Sequence, residues 1–414
     1  MIIKLQEHFF KDNYIITLFV IFIKRCAMKI QLSLFIIILN ISIVFFCSSQ
    51  EENFTVEIIE GVRYVYNNVP QWRDKPKVAF EFVQKIGGLD ATDENFILYR
   101  PNDVEVDGEG NIYILDTGDY RVQKYDKQGK YLLTIGRQGL GPGEFARPTS
   151  IQVYKDYHLY VVDNGKGKTI ELDQNGKEIR NIWSDAHNIF KVLVLQSDEF
   201  LVEYPGVYKT EIGSESRNLT ETLLKIVDND FNLLREFCTP LKFEDYNVDR
   251  QMNIIFYTFD KDDNIYVSFY HQNRIEKYTS EGKLVWKADR KLSYKQSKPG
   301  KSEEKREEGP IAGETIVTIR MDTMNKFSYN IAVDGKGRSW VHTFTKQAEG
   351  KIRNEDYIPA ETMLEIYDPE GILLGRLPFP NVRNISTYRI FGDRMFFIDR
   401  EEEMAVYEYR IIEK

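Results

Sequence analysis

The sequence predicts an all-β fold: a six-bladed β-propeller of four-stranded antiparallel blades, the last blade closed by a strand from the N-terminal side. Three observations carry this. A turn of the form Asp-x-x-Gly recurs along the chain, and a strand signature of alternating apolar and polar residues recurs with it. One segment near residue 80 aligns with the last strand of a blade rather than the first. The 25 Tyr and 26 Phe agree, because aromatic residues favour strands.

The turn occurs in YDKQGKYLL from Tyr125, LDQNGKEIR from Leu172, VDNDFNLLR from Val227, YTSEGKLVW from Tyr278 and YDPEGILLG from Tyr367. Gly129, Gly176, Gly282 and Gly371 occupy the position expected at positive φ, and Phe231 stands there in the third copy. The strand signature is GNIYILD from Gly110, YHLYVVD from Tyr157, DNIYVSF from Asp263, GRSWVHT from Gly337 and DRMFFID from Asp393. RPNDVEVD from Arg100 and RPTSIQVY from Arg147 repeat at a spacing of 47. Each unit thus reads as four strands, a to d, and four short antiparallel strands at such a period make a propeller blade.

Closure follows from the count. A sixth unit opens at Tyr388 and holds three strands, and VAFEFVQKIGG over residues 78–88 aligns with KYLLTIGRQG from Lys130 to supply the fourth. A ring closed in this way leaves no open sheet edge. Three stretches interrupt the pattern. Residues 287–314, dense in Lys, Glu and Ser, read as a solvated excursion between blades four and five. Residues 205–218 and 346–361 separate strands b and c of blades three and five and are the expected specificity loops.

The organisation expected is a signal or anchor segment over residues 1–47, a linker over 48–77 and the propeller over 78–414. The uncharged run IQLSLFIIILNISIVFF over residues 30–46 follows Met28 and Lys29, as in a secretory signal. Cys47 comes directly after it, which resembles the lipobox of bacterial lipoproteins, although Phe46 stands where a small residue is usual. An upstream run, YIITLFVIFI from Tyr14, leaves two readings open: translation starting at Met28, or an uncleaved membrane anchor. Both place the propeller outside the cytoplasm, membrane-anchored on the periplasmic or cell-surface side.

The blades resemble the NHL repeat. That pattern shows best over residues 100–136, with Asp116, Arg121, Asp126, Gly129 and Gly136 in place, and residues 136–148 resemble the linker between blades. The resemblance implies an exported or lipoprotein-type bacterial propeller, and it is specific only over the first two blades.

Charge sets the partners to expect. The first 47 residues hold five of the 55 basic and two of the 64 acidic residues, so the remainder carries 50 against 62, a net charge of −12. Nucleic acid is therefore not an expected partner. Of Cys26, Cys47 and Cys238 only the last lies in the propeller, which leaves no disulfide framework there.

Catalytic patterns such as HExxH, GxSxG, a phosphate loop or CxxC do not occur. The function expected is a binding module for an envelope protein, a peptide or a glycan, without a cofactor. The alternative is a metal-dependent lyase or lactone hydrolase using the central channel, for which His271 and His342 are the weak metal candidates. Asp116, Asp163 and Asp399 end their b strands, and their repetition in several blades points to a structural role. Ligand binding is expected on the rim of the b–c turns through Tyr204, Tyr208, Tyr270 and His271, whose flat amphipathic side chains anchor ligands at low entropic cost. Cys47 is the lipidation candidate.

Overall fold

The structure, a computed structural model, describes residues 52–155, 158–183, 191–203, 221–308, 310, 315–350, 357–382 and 385–414. The chain divides into two compact units, Met1–Glu52 and Asn53–Lys414, and the second is the propeller. Cys47 lies outside the described residues.

Strands β1 (Phe54–Ile59) and β2 (Val62–Asn67) form a hairpin, and β3 (Val78–Gly87) follows. Blade one is β4 (Pro101–Val106), β5 (Ile112–Asp116), β6 (Arg121–Tyr125) and β7 (Tyr131–Ile135). Blade two is β8 (Pro148–Tyr154), β9 (His158–Asp163), β10 (Lys168–Leu172) and β11 (Glu178–Trp183). Blade three is β12 (Val192–Val194), β13 (Phe200–Glu203), β14 (Leu224–Val227) and β15 (Leu233–Phe237). A short helix, α1 (Tyr246–Met252), leads to blade four: β16 (Ile255–Phe259), β17 (Ile265–Phe269), β18 (Ile275–Tyr278) and β19 (Leu284–Arg290). The pair β20 (Glu303–Glu308) and β21 (Thr315–Arg320) precedes blade five, which is β22 (Ser328–Val333), β23 (Ser339–Lys346), β24 (Glu361–Tyr367) and β25 (Leu373–Leu377). Blade six is β26 (Thr387–Phe391), β27 (Arg394–Asp399) and β28 (Ala405–Glu413), with β3 as its outer strand.

The turns explain why these strands reverse where they do. Asp126 Oδ1 accepts the backbone N–H groups of Gln128 and Lys130, both at 2.9 Å, while Gly129 sits at φ +80°. Asp173, Asp228 and Asp368 repeat the arrangement, and Thr279 does so through its hydroxyl. Phe231 takes φ +64° in the third copy, a backbone position glycine would hold more easily, and its ring stacks on Phe200 at 6.0 Å. The a–b turns use the same chemistry at Asp107, Asp260 and Asp334, so the motif marks both the a–b and the c–d turns.

The closing strand pairs as expected, antiparallel from Ala405↔Gly87 to Glu413↔Val78. Phe80 seals that junction against Trp340, Phe397 and Tyr409, with ring centroids 5.8 to 6.1 Å away. Between blades the sheet faces interlock. Tyr113 and Leu115 of blade one, for example, pack with Ile151, Leu159 and Val161 of blade two.

Two expectations are corrected. Residues 54–67 are not linker. They form β1 and β2, and β2 adds parallel to β19 (Trp286↔Arg63 to Arg290↔Asn67), which makes blade four a six-stranded mixed sheet. Glu60 and Gly61 both adopt positive φ, as a two-residue hairpin turn requires. Asn67 fixes the addition, donating to the carbonyls of Asp289 and Gly371 and accepting the Leu373 N–H at 2.8 Å. The charged run 287–314 is not wholly a solvated loop either. Its first residues complete β19, and Glu303–Glu308 pairs with β21 in an exposed hairpin. Its alternating valine, isoleucine and threonine partner over 315–320 makes that pairing favourable.

Candidate functional site on the rim of the b–c turns

Because every blade is an antiparallel meander, strands b and d end on one rim and strands a and c begin there. That rim carries the b–c turns and the entries into each blade. It is tied down by the aspartates that end the b strands. Asp116 accepts the backbone N–H groups of Tyr99 and Arg100 and pairs with Arg121. Asp163 accepts those of Ala146 and Arg147 at 2.7 and 2.8 Å, and those of Gly165 and Lys166. In blade six, Asp399 Oδ1 accepts the N–H groups of Glu401 and Glu402. In blades one and two the carboxylate thus clamps the chain entering the blade, in blade two together with its own b–c turn, whereas Asp399 holds its own turn alone.

Tyr270 and His271 open the b–c turn of blade four. The Tyr270 ring is half-buried and meets His271 at 4.5 Å, Phe256 at 6.3 Å, and Tyr329 and Phe344 at 6.1 Å. Phe256 and Tyr329 come from strands a of blades four and five, and Phe344 comes from strand b of blade five. The Lys326 ammonium lies 5.8 Å from the centroids of both Tyr270 and Phe344. The result is a half-exposed aromatic patch under a cation, spanning two blades.

The two histidines sit at the inner side of this patch. His271 is 8% exposed, and its Nδ1 donates to the Asn325 carbonyl at 2.8 Å. Burial lowers its pKa below the usual imidazole value. His342 lies in β23, opposite Asn330, with its ring against Phe379 at 4.5 Å, Tyr329 at 5.6 Å and Phe344 at 5.9 Å. Both of its ring nitrogens are buried without a hydrogen-bond partner, and burial brings its pKa down to about 4. Among the described residues no group of three or more His, Cys, Asp or Glu side chains is placed to hold a metal ion. Tyr204 and Tyr208, with the insertion that contains Tyr208, lie outside the described residues. The insertion of blade five is described only at its ends.

A second set of groups escaped sequence reading. Neighbouring innermost strands contact one another from β16 through β22, β26, β4 and β8 to β12. Arg389 of β26 donates to Asp103 of β4 at 2.8 Å through both Nε and Nη2, and the other Asp103 oxygen accepts the Ile151 N–H of β8. Glu105, two residues along the same face, is pushed up to about 8, first by burial and then by the Asp103 charge. Lys191 donates to the Tyr257 carbonyl at 2.7 Å, and Tyr257 Oη donates to the Lys191 carbonyl at 3.1 Å. Burial lowers Lys191 to about 7 and raises Glu203 to about 7. Such a set of shifted groups on and beside the innermost strands is a feature of working sites as well as of structural networks. The signal present in the sequence was the pair Asp103 and Glu105, two acids at strand spacing flanking Val104 in the first strand.

Comparison with known proteins bears on the fold. A protein of the duf4221 family from Bacteroides vulgatus has 10% identity and a TM-score of 0.54, covering 82% of this chain and 99% of its own. A protein from Bacteroides fragilis described as exported has 12% identity and a TM-score of 0.52, covering 85% of this chain and 99% of its own. At these identities the likeness concerns the fold alone. A search of curated proteins finds no match. No helix among the described residues is long and apolar enough to cross a membrane. Residues 88–309, more than half of the sequence, match the profile of one family, and the chain accordingly belongs to the 6-bladed beta-propeller family.

Proposed function

We propose that the protein is an exported, membrane-associated binding module that takes a protein, peptide or glycan ligand on the rim of the b–c turns. The observation that carries this reading is the patch of Tyr270, Tyr329 and Phe344 beneath Lys326. Rigid aromatic faces lose little conformational freedom on binding, and a cation at their edge adds polar selectivity. The patch draws on two blades of a closed ring, so its geometry is set before a ligand arrives. Export is supported by the apolar run after Lys29 and by the exported Bacteroides fragilis protein of like fold. Membrane attachment rests on residues 1–47, through Cys47 or through the apolar runs themselves.

The test is a peptide and glycan array probed with the wild type and with Tyr270→Ala/Tyr329→Ala. The double variant should keep its cooperative thermal unfolding and lose array signal by about tenfold or more, the worth of one central aromatic anchor. Undiminished signal would remove the rim patch as the site. Fatty-acid labelling of wild type and Cys47→Ser tests the anchor separately: label lost in the variant identifies lipidation.

A further inference from the structure

On the same rim, between blades one and two, a cavity of about 620 Å³ opens that is lined by Arg100, Asn102, Thr117, Tyr120, Arg147 and Thr149 among others. It stands three blades round the ring from the Tyr270 patch. Its two arginines are the repeated Arg-Pro pairs of the sequence. Pro101 and Pro148, both buried, begin β4 and β8. The residue before each is held by the clamp of its own blade, Arg100 N–H on Asp116 and Arg147 N–H on Asp163, each at 2.8 Å. One structural device thus presents the same side chain twice, from adjacent blades, to one cavity.

The charge of these two side chains is uncompensated. Both are exposed, and among the described residues neither guanidinium has a hydrogen bond or an ion pair. Several other arginines of the blades are paired with a carboxylate: Arg121 with Asp116, Arg290 and Arg376 with Glu365, Arg389 with Asp103, Arg394 with Glu408. No acidic residue lines the cavity, in a chain with 64 acidic and 55 basic residues. The remaining lining is neutral, with Asn102, Thr117, Tyr120 and Thr149 beside the apolar Ala146 and Pro148. Asn102 joins three blades, donating to the Thr149 carbonyl at 2.8 Å and accepting from Arg400 of blade six at 3.0 Å. Thr117 Oγ1 bonds the Arg100 carbonyl at 3.0 Å. Tyr120 holds φ +55°, a position that non-glycine residues rarely take, and its ring packs on the blade one–two core beside the cavity.

We propose that this cavity is a binding site for a small acidic saccharide, with an oxyanion group of the sugar on the Arg100 and Arg147 guanidiniums. The planar fork of arginine matches a carboxylate, sulfate or phosphate ester with two parallel hydrogen bonds. The volume falls within the range of roughly 300–1,000 Å³ that small-molecule sites occupy, far more than a bare inorganic anion fills. The threonine hydroxyls, the asparagine amide and the tyrosine ring suit the hydroxyls and the apolar face of a pyranose. The site is independent of the aromatic patch across the ring.

The test is calorimetric titration of the purified full chain with uronic-acid, sulfated and phosphorylated mono- to trisaccharides, their neutral counterparts, and inorganic phosphate and sulfate. At least one acidic saccharide should bind with its neutral counterpart silent, and the identity of that sugar tells carboxylate from sulfate or phosphate ester. Arg100→Ala and Arg147→Ala should each weaken it by about tenfold or more, since a charge-assisted hydrogen bond is lost. Neither should alter thermal unfolding, because both side chains are exposed and unpaired. Tyr270→Ala should leave the affinity unchanged, which separates this site from the rim patch. The proposal is overturned if no acidic saccharide binds, if the arginine variants bind as the wild type does, or if inorganic anions bind as tightly as the best saccharide.

Discussion

Asp116 and Arg100 are sixteen residues apart in sequence, yet the buried carboxylate of one accepts the backbone N–H of the other at 2.8 Å. The same bond joins Asp163 and Arg147 in the next blade. Each connects the end of strand b to the chain entering strand a, so the rim is braced by side chains within the sheet rather than by its loops.

Asp116→Ala should therefore act on stability well beyond its own turn. It strands the N–H groups of Tyr99 and Arg100 and leaves the Arg121 guanidinium with only Asp119 and the Ile97 carbonyl, for a loss of about 2–4 kcal/mol. Chemical denaturation measures this. Asp116→Asn, which keeps one acceptor oxygen, should recover part of the loss, and equal losses in the two variants would mean that charge rather than hydrogen bonding sustains the clamp.

Closure of the ring makes a prediction about the outer strand of blade six. A chain beginning at residue 90 lacks β3, which leaves the edge of β28 unpaired and removes Phe80 from Trp340, Phe397 and Tyr409. Compared with a chain beginning at residue 51, it should aggregate and unfold at lower temperature, because an open strand edge templates further pairing. Light scattering with thermal unfolding reads both, and matching behaviour of the two chains would refute closure by β3.

The two sides of the pH scale report different residues. His342 has its pKa lowered to about 4, so the folded state resists a proton that the unfolded state takes up near 6.5. Its contribution is complete above pH 6.5 and falls away as pH drops towards 4, by about 3 kcal/mol. His342→Phe, which also removes two unpartnered ring nitrogens, should flatten that decline. Glu105 runs the opposite way. Its pKa is raised to about 8, so its contribution is complete below about 4.5 and is lost as pH rises through 8. Glu105→Gln should be the more stable protein at pH 9. Denaturation midpoints across pH 4 to 9 test both, and parallel curves for wild type and variant would show that folding leaves the pKa of the residue in question unshifted.

Sequence alone determined the architecture because the information is local. An aspartate that accepts two N–H groups within its own turn, a glycine at positive φ and strands of alternating polarity are written within a few residues, and their recurrence counts the blades. Even the closing strand was legible, since residues 78–88 carry the pattern of a d strand. The rim of Tyr270 and His271 was also within reach, because b–c turns are where this chain departs from its own repeat. What tertiary structure decided are the relations between distant segments. Val62–Asn67 has the composition of a strand, but nothing in it names β19 as its partner, and the choice depends on the free edge of blade four and on Asn67 reaching Gly371. Tyr329, Phe344 and Lys326 join Tyr270 only because blades four and five stand side by side. Arg389 meets Asp103 across 286 residues for the same reason, on the innermost strands of adjoining blades. Arg100 and Arg147 were visible as a repeat. That both line one cavity and remain unpaired is a property of the closed ring, in which each blade completes the surface of the next.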